Sequence, residues 1–239
     1  MKTHPAIAVV EFSEIPIGMS ATDAMLKKAP ISFVKCGTIT RGRFLTLVGG
    51  TTASVDAALA EGLAHGGPAV VDSLFLADVH PRVYEAILGR RKPGNSGALA
   101  IIETDTVAAS VRAAEAALKG TPVDLIEIRL ADAGLSGRGL SVYQGSLPDI
   151  EAAIEIVTRH VDQSGGQLRH RIISSPHDGL VTQIETSTWF GSQDVLDLGG
   201  DDPQALRALD AIYQRLERWQ ELADTLVRQL GLADAAAEE

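Results

Sequence analysis

The sequence has a single cysteine, Cys36, so no disulfide can form within the chain and a reducing, cytoplasmic setting is expected. No apolar run approaches the roughly 20 residues that a membrane-spanning helix needs, and the N-terminus lacks the charged-then-apolar pattern of a signal peptide. Basic residues are also short, 21 Lys and Arg against 31 Asp and Glu, and the deficit is local. Residues 1–184 hold 17 basic against 19 acidic side chains, whereas residues 185–239 hold 4 against 12. Without a basic stripe, nucleic acid is not an expected partner.

Motifs for chemistry are missing too. There is no P-loop, no G-x-S-x-G and no dinucleotide fingerprint, and the six histidines show no metal-ligand spacing. No catalytic residue, metal or cofactor is expected. Cys36 lies alone on a strand and is expected to be a buried thiol.

What the sequence does have is a repeat. The stretch AIAVVEFSEIPIGMSATDAMLKKAP, Ala6–Pro30, returns as ALAIIETDTVAASVRAAEAALKGTP, Ala98–Pro122. Ala6 and Ala98, Glu11 and Glu103, Asp23 and Glu115, Lys27 and Lys119, and Pro30 and Pro122 all lie 92 apart. After a three-residue insertion Gly42 and Gly137 lie 95 apart, and His80 and His177 lie 97 apart. Glu11 and Glu103 resemble a catalytic carboxylate pair, but as repeat counterparts at strand ends they are expected to hold structural hydrogen bonds.

Each copy reads βαββαβα. In the first, Ala6–Phe12 is an apolar run suited to a strand covered on both faces. A helix over Ser20–Lys28 stops at Pro30, Ile31–Thr38 and Arg43–Val48 are strands, and Thr52–Ala64 is a second helix. Ala69–Leu76 is a fourth strand and Pro81–Leu88 a closing helix. In the second copy Ser146 and Asp149 form a capping pair for the helix Leu147–Arg159. The expected fold is α/β of the ferredoxin-like α+β kind, with helices on one face of each four-stranded sheet. The domains expected are 1–88 and 98–184, joined by the Gly- and Pro-containing linker 89–97. A second linker, 185–201, leads to a helical hairpin, 202–239, opened by Asp202-Pro203. One such hairpin cannot bury both faces, so it must dock on one of the repeated domains, a neighbour's tail or a partner, with Trp189, Tyr213 and Trp219 as anchors. It resembles a tetratricopeptide unit in part.

The pattern A-[IL]-A-x-[VI]-E, then D/E-A-x-L-K, then a Gly-centred turn and a strand-Gly-x-x-x-[VI]-[DE]-A-A segment, resembles the bacterial microcompartment shell domain. Two in tandem resemble the trimeric class, in which three chains imitate a hexamer. The resemblance covers Ala6 to Ile184 in the unpermuted strand order. It implies a structural, non-enzymatic shell-facet subunit: a homotrimer that tiles with other shell hexamers and pentamers, has no cofactor and passes small metabolites through a central pore. Carried over by position, the pore loops are Thr40-Arg41-Gly42-Arg43 and Leu135-Ser136-Gly137-Arg138. Lys27, Lys119, His80 and His177 fall at tile edges. Asp78 and Ser175 stand where the family often has arginine. Rings of arginine at the pore favour anions. The alternative is a ferredoxin-like ligand-binding or enzymatic pair of domains with a cleft between them.

Overall fold

The structure, a computed structural model, describes residues 6–94 and 96–237. Residues 1–5, Asn95 and 238–239 of the expected domains and linker lie outside the described residues. The chain divides into two units, residues 1–185 and 186–239.

In the first unit the repeat is visible as two antiparallel sheets. The first half runs β1 (Ala6–Phe12), α1 (Ile15–Lys28), β2 (Phe33–Ile39), β3 (Arg43–Gly50), α2 (Thr52–Gly66), β4 (Val70–Leu76) and α3 (Pro81–Ile87). The second half runs β5 (Ala98–Thr104), α4 (Val107–Gly120), β6 (Asp124–Leu130), β7 (Gly139–Gly145), α5 (Leu147–Gln163), β8 (Leu168–Ile173) and α6 (Asp178–Thr186). Strand orders are β2-β3-β1-β4 and β6-β7-β5-β8. The registers fix the correspondence between halves: Glu11 lies opposite Asp72, and Glu103 lies opposite Arg169. Arg169 therefore occupies the place of Asp72.

Strand β1 is apolar apart from Glu11 because both of its faces are covered. Ala8, Val10 and Phe12 pack with Ala21 and Met25 of α1 and Val55 of α2. Ile7 and Val9 point the other way, to Leu47, Leu74 and the α3 residues Val83, Ala86 and Ile87. The helices are thus not confined to one face, as the sequence suggests, since the short closing helix covers the other. Helix α1 begins five residues earlier than expected, at Ile15, with Glu14 at its N-cap and Pro16 in the first turn. Ser146 caps α5 by accepting the Asp149 amide, as expected.

Space between helix and sheet is balanced differently in the halves. Gly18 faces Phe44, where an added Cβ would come within 2.7 Å of the ring. At the counterpart contact Ser110 faces Gly139, whose added Cβ would lie 2.4 Å from the serine Cβ. A large residue on the strand is matched by none on the helix, and the reverse holds in the second half.

Within the stretch expected to be a linker, 89–97, Arg91 and Lys92 are tied down. The Lys92 amide donates to the Ile126 carbonyl at 3.1 Å and its ammonium to Asp124 at 2.8 Å. Arg91 pairs with Glu127 and donates to the Ile184 carbonyl.

The second unit carries the expected hairpin, α7 (Pro203–Arg215) and α8 (Trp219–Ala237). Asp202 caps α7 through the amides of Gln204 and Ala205, at 3.1 and 2.7 Å. Arg228 holds the approach to α7 against α8 through Asp197 at 2.6 Å and Asp201 at 3.2 Å. Tyr213 is buried, with the Arg218 guanidinium 5.3 Å from its ring centre, so it serves the hairpin's interior rather than offering a docking surface. Trp189, Phe190, Trp219, Val227 and Leu230 are exposed.

Candidate functional site: the seam between the halves

The halves are joined along one seam. On the side of the first half it is formed by the end of β1, by β4, by α3 and by the turn Thr40–Gly42. On the side of the second half it is formed by α4, β6 and the loop between β6 and β7. The apolar core is continuous across it, from Leu74 and Val83 to Val107, Val111 and Ile128.

Polar groups set the register. Glu11 is fully buried and accepts the Ala108 amide at 2.9 Å, near the N-terminus of α4, and the Arg43 guanidinium at 3.2 Å. Burial pushes its carboxyl up to about 7, against the opposing pull of that amide and of Arg43. Asp72 accepts the Thr106 hydroxyl at 2.6 Å and Arg112 at 3.3 Å. Arg112 also donates to the Ser73 carbonyl at 2.8 Å. The Arg82 guanidinium donates to the Leu125 and Ile126 carbonyls, both at 2.8 Å, and so satisfies the backbone edge of β6.

The two glycine turns meet at the end of this seam. The Thr40 hydroxyl donates to the Ala131 carbonyl at 2.6 Å and accepts the Gly137 amide at 2.8 Å. Thr40 is thus a clasp between loops as well as part of a lining. Arg41 and its counterpart Ser136 both adopt left-handed backbone, at φ 67° and 50°, beside the left-handed Gly42 and Gly137. Thr40, Arg41, Gly134, Ser136 and Arg138 surround one open concavity of about 500 Å³. Arg43, expected there as well, turns away: only 13% of its side chain is exposed, and it bonds Glu11 and the Gly137 carbonyl. Leu135 is half-buried and does not border the concavity.

The recurring histidines are helix caps. His80 Nδ1 accepts the Arg82 amide at 3.2 Å, and His177 Nδ1 accepts the Gly179 amide at 3.1 Å. The His80 amide also donates to Glu115 across the seam at 3.0 Å. Lys119 belongs to the seam too, reaching the Asp78 carbonyl and Glu115, both at 2.6 Å. Its counterpart Lys27 is exposed and pairs only locally, with Asp23 at 2.5 Å.

Each half thus has two seam faces, and in a single chain only one of each kind is used. Helix α4 buries nine of its residues and α1 four. The difference is the seam stripe: Ala108, Val111 and Glu115 are buried, whereas Pro16, Met19 and Asp23 are exposed. On the other kind of face Val83 and Leu74 are buried while their counterparts Leu180 and Arg171 are exposed. Cys36 shows the same difference. Contrary to expectation it is exposed: β2 and β6 are both edge strands, but among the described residues no helix packs on β2 as α3 packs on β6, where the counterpart Ile128 is buried.

The comparisons with known proteins agree with this architecture. The BMC domain family matches twice, over residues 6–80 and 98–176. The chain belongs to the BMC-domain family of microcompartment shell proteins. It is 34% identical over 179 residues to the bacterial microcompartment shell protein PduT of Citrobacter freundii, an alignment covering 75% of this chain and 97% of that protein. It is similar to the crystal structure of a microcompartments protein from Desulfitobacterium hafniense DCB, with a TM-score of 0.64 and 31% identity over 74% of this chain and 98% of that one. A more distant relative is the carboxysome assembly protein CcmO of Synechococcus elongatus, 25% identical over 75% of this chain and 68% of its own length. The BMC-domain matches end before the hairpin.

The residues that sequence reasoning missed are Asp72, Thr106, Arg82 and Arg112. None has a like counterpart: their places in the other half are taken by Arg169, Glu14, Gly179 and Ser20. A search for recurrence passes over them for that reason.

Proposed function

We propose that three copies of this chain close into a ring of six BMC domains, one facet tile of a microcompartment shell, with the glycine turns around a central passage. The observation that carries the reading is the difference in burial between repeat counterparts. Each chain has one open face of each kind, and these are the two faces that fit together inside it. Repeating the same contact between chains is a head-to-tail association, which closes if the rotation returns to its start. With two domains per chain, three chains supply six seams, three within chains and three between them.

Around the axis the ring carries three copies of Arg41 and three of Arg138. Such rings select by the sign of charge, so small anionic metabolites are the class favoured. The role is structural rather than catalytic, and the setting is a cytoplasmic shell. By the same repetition Lys27, the counterpart of Lys119, falls at the seam between chains, while the outer edges of the tile meet neighbouring tiles, including other shell proteins. The exposed Trp219, Val227 and Leu230 on the hairpin support contact with a further polypeptide, cargo or shell.

Native mass spectrometry tests the assembly, with three copies expected and a lone chain contradicting it. Leakage of an anionic dye from reconstituted shells tests the passage. Replacing Arg41 by Glu is expected to slow it, and unchanged leakage would argue against a pore at these turns.

A further inference from the structure

The seam between chains repeats the packing of faces found within the chain, but its polar contacts cannot be copies, because the groups differ. Inside the chain, Glu11 accepts the amide of Ala108. The counterpart of Ala108 is Pro16, which has no amide hydrogen to offer Glu103. At the N-cap of the same helix, Thr106 has become Glu14, which makes no side-chain capping bond. A copied seam would therefore bring two carboxylates, Glu103 and Glu14, together at a helix start that lacks the donor. The polarity is inverted on the facing strand as well. Where the internal seam has Asp72, β8 has Arg169, which is 73% exposed and already bonds Glu103 at 3.0 Å.

We propose, resting on the ring described above, that Arg169 bridges Glu103 of its own chain and Glu14 of the partner subunit, and that this inverted pair fixes the order of domains around the ring. Inside the chain the acid is on the strand and its donors, Thr106 and Arg112, are on the helix. Between chains the base is on the strand and the acid is on the helix. Exchange of faces is then disfavoured on both sides. A first half docked on another first half sets Asp72 against Glu14. A second half docked on another second half sets Arg169 against Arg112. Like charges brought together at an interface suppress the wrong partner, and complementary ones set the register. The occupant of the exposed α1 and β2 face is thus a second copy of this chain, presented through β8 and α6.

Charge exchange tests the pair. Glu14→Arg, Arg169→Glu and the double variant are compared with the full-length parent by native mass spectrometry over a dilution series, with circular dichroism as the check on folding. Each single change is expected to weaken association about tenfold or more per contact, and the double variant to recover it. Single variants that assemble like the parent, or a double variant no better than the weaker single, would overturn the pair. A parent that stays monomeric at every concentration would instead overturn the ring on which the pair depends.

Discussion

Met19 and Val111 hold the same position on equivalent helices, yet Val111 has no exposed surface and Met19 exposes 55% of its own. Within the chain the first half covers Val111; in the ring another chain covers Met19. Replacing Met19 with Asp is expected to leave the fold intact and to shift the protein to single chains at micromolar concentration, read by sedimentation velocity. Placing a charge in an apolar contact leaves it unpaired on association, a strongly unfavourable change.

The carboxyl of Glu11 carries a pH dependence. Its folded pKa, about 7, lies above the ordinary value of 4.5, so between those values the folded chain holds a proton that the unfolded chain has released. Stability therefore falls as pH rises from about 4.5 to about 7, by about 3 kcal/mol from this group. Glu11→Gln is expected to flatten that slope in urea denaturation at pH 5 and pH 8. Parallel pH profiles for the two proteins would contradict the buried, protonated carboxyl.

Arg41 holds a left-handed backbone at φ 67° with a long side chain, a conformation costing about 1 kcal/mol or more outside glycine. Arg41→Gly is expected to raise stability by about 1 kcal/mol in urea titration while reducing passage of anions through assembled shells.

Gly18 leaves room for Phe44. Gly18→Ala is expected to destabilise the chain by about 1–3 kcal/mol, measured by denaturant midpoint, because the added methyl meets the ring at 2.7 Å. The matching change at Ser110, Ser110→Ala, is expected to move the midpoint far less, since the serine already fits against Gly139.

The repeat made the fold legible. Glu11 with Glu103, Lys27 with Lys119 and His80 with His177 recur because strand ends, helix ends and caps are needed in both halves. Recurrence also marked the two glycine turns, which the fold does bring together. It failed where the halves differ by necessity. Arg112 answers Asp72 across the seam and has no like counterpart, so no periodic signal marks it. Arg43 recurs as Arg138, but only Arg43 has a buried Glu11 to draw it inward. Cys36 is expected inside because thiols usually are; β2 and β6 are both edge strands, and Cys36 is exposed because α3 packs on β6, not β2, a choice that contact between the halves decides. Lys119 matches Lys27 in sequence, but only Lys119 meets a covering domain in its own chain.

Counting the copies in the native particle tests the central claim most directly. Native mass spectrometry of the purified full-length protein is predicted to give three times the 25.2 kDa chain, with negative-stain images showing a six-lobed plate pierced at its centre. A folded protein that remains a single chain or forms a closed pair, with no central opening, would contradict it.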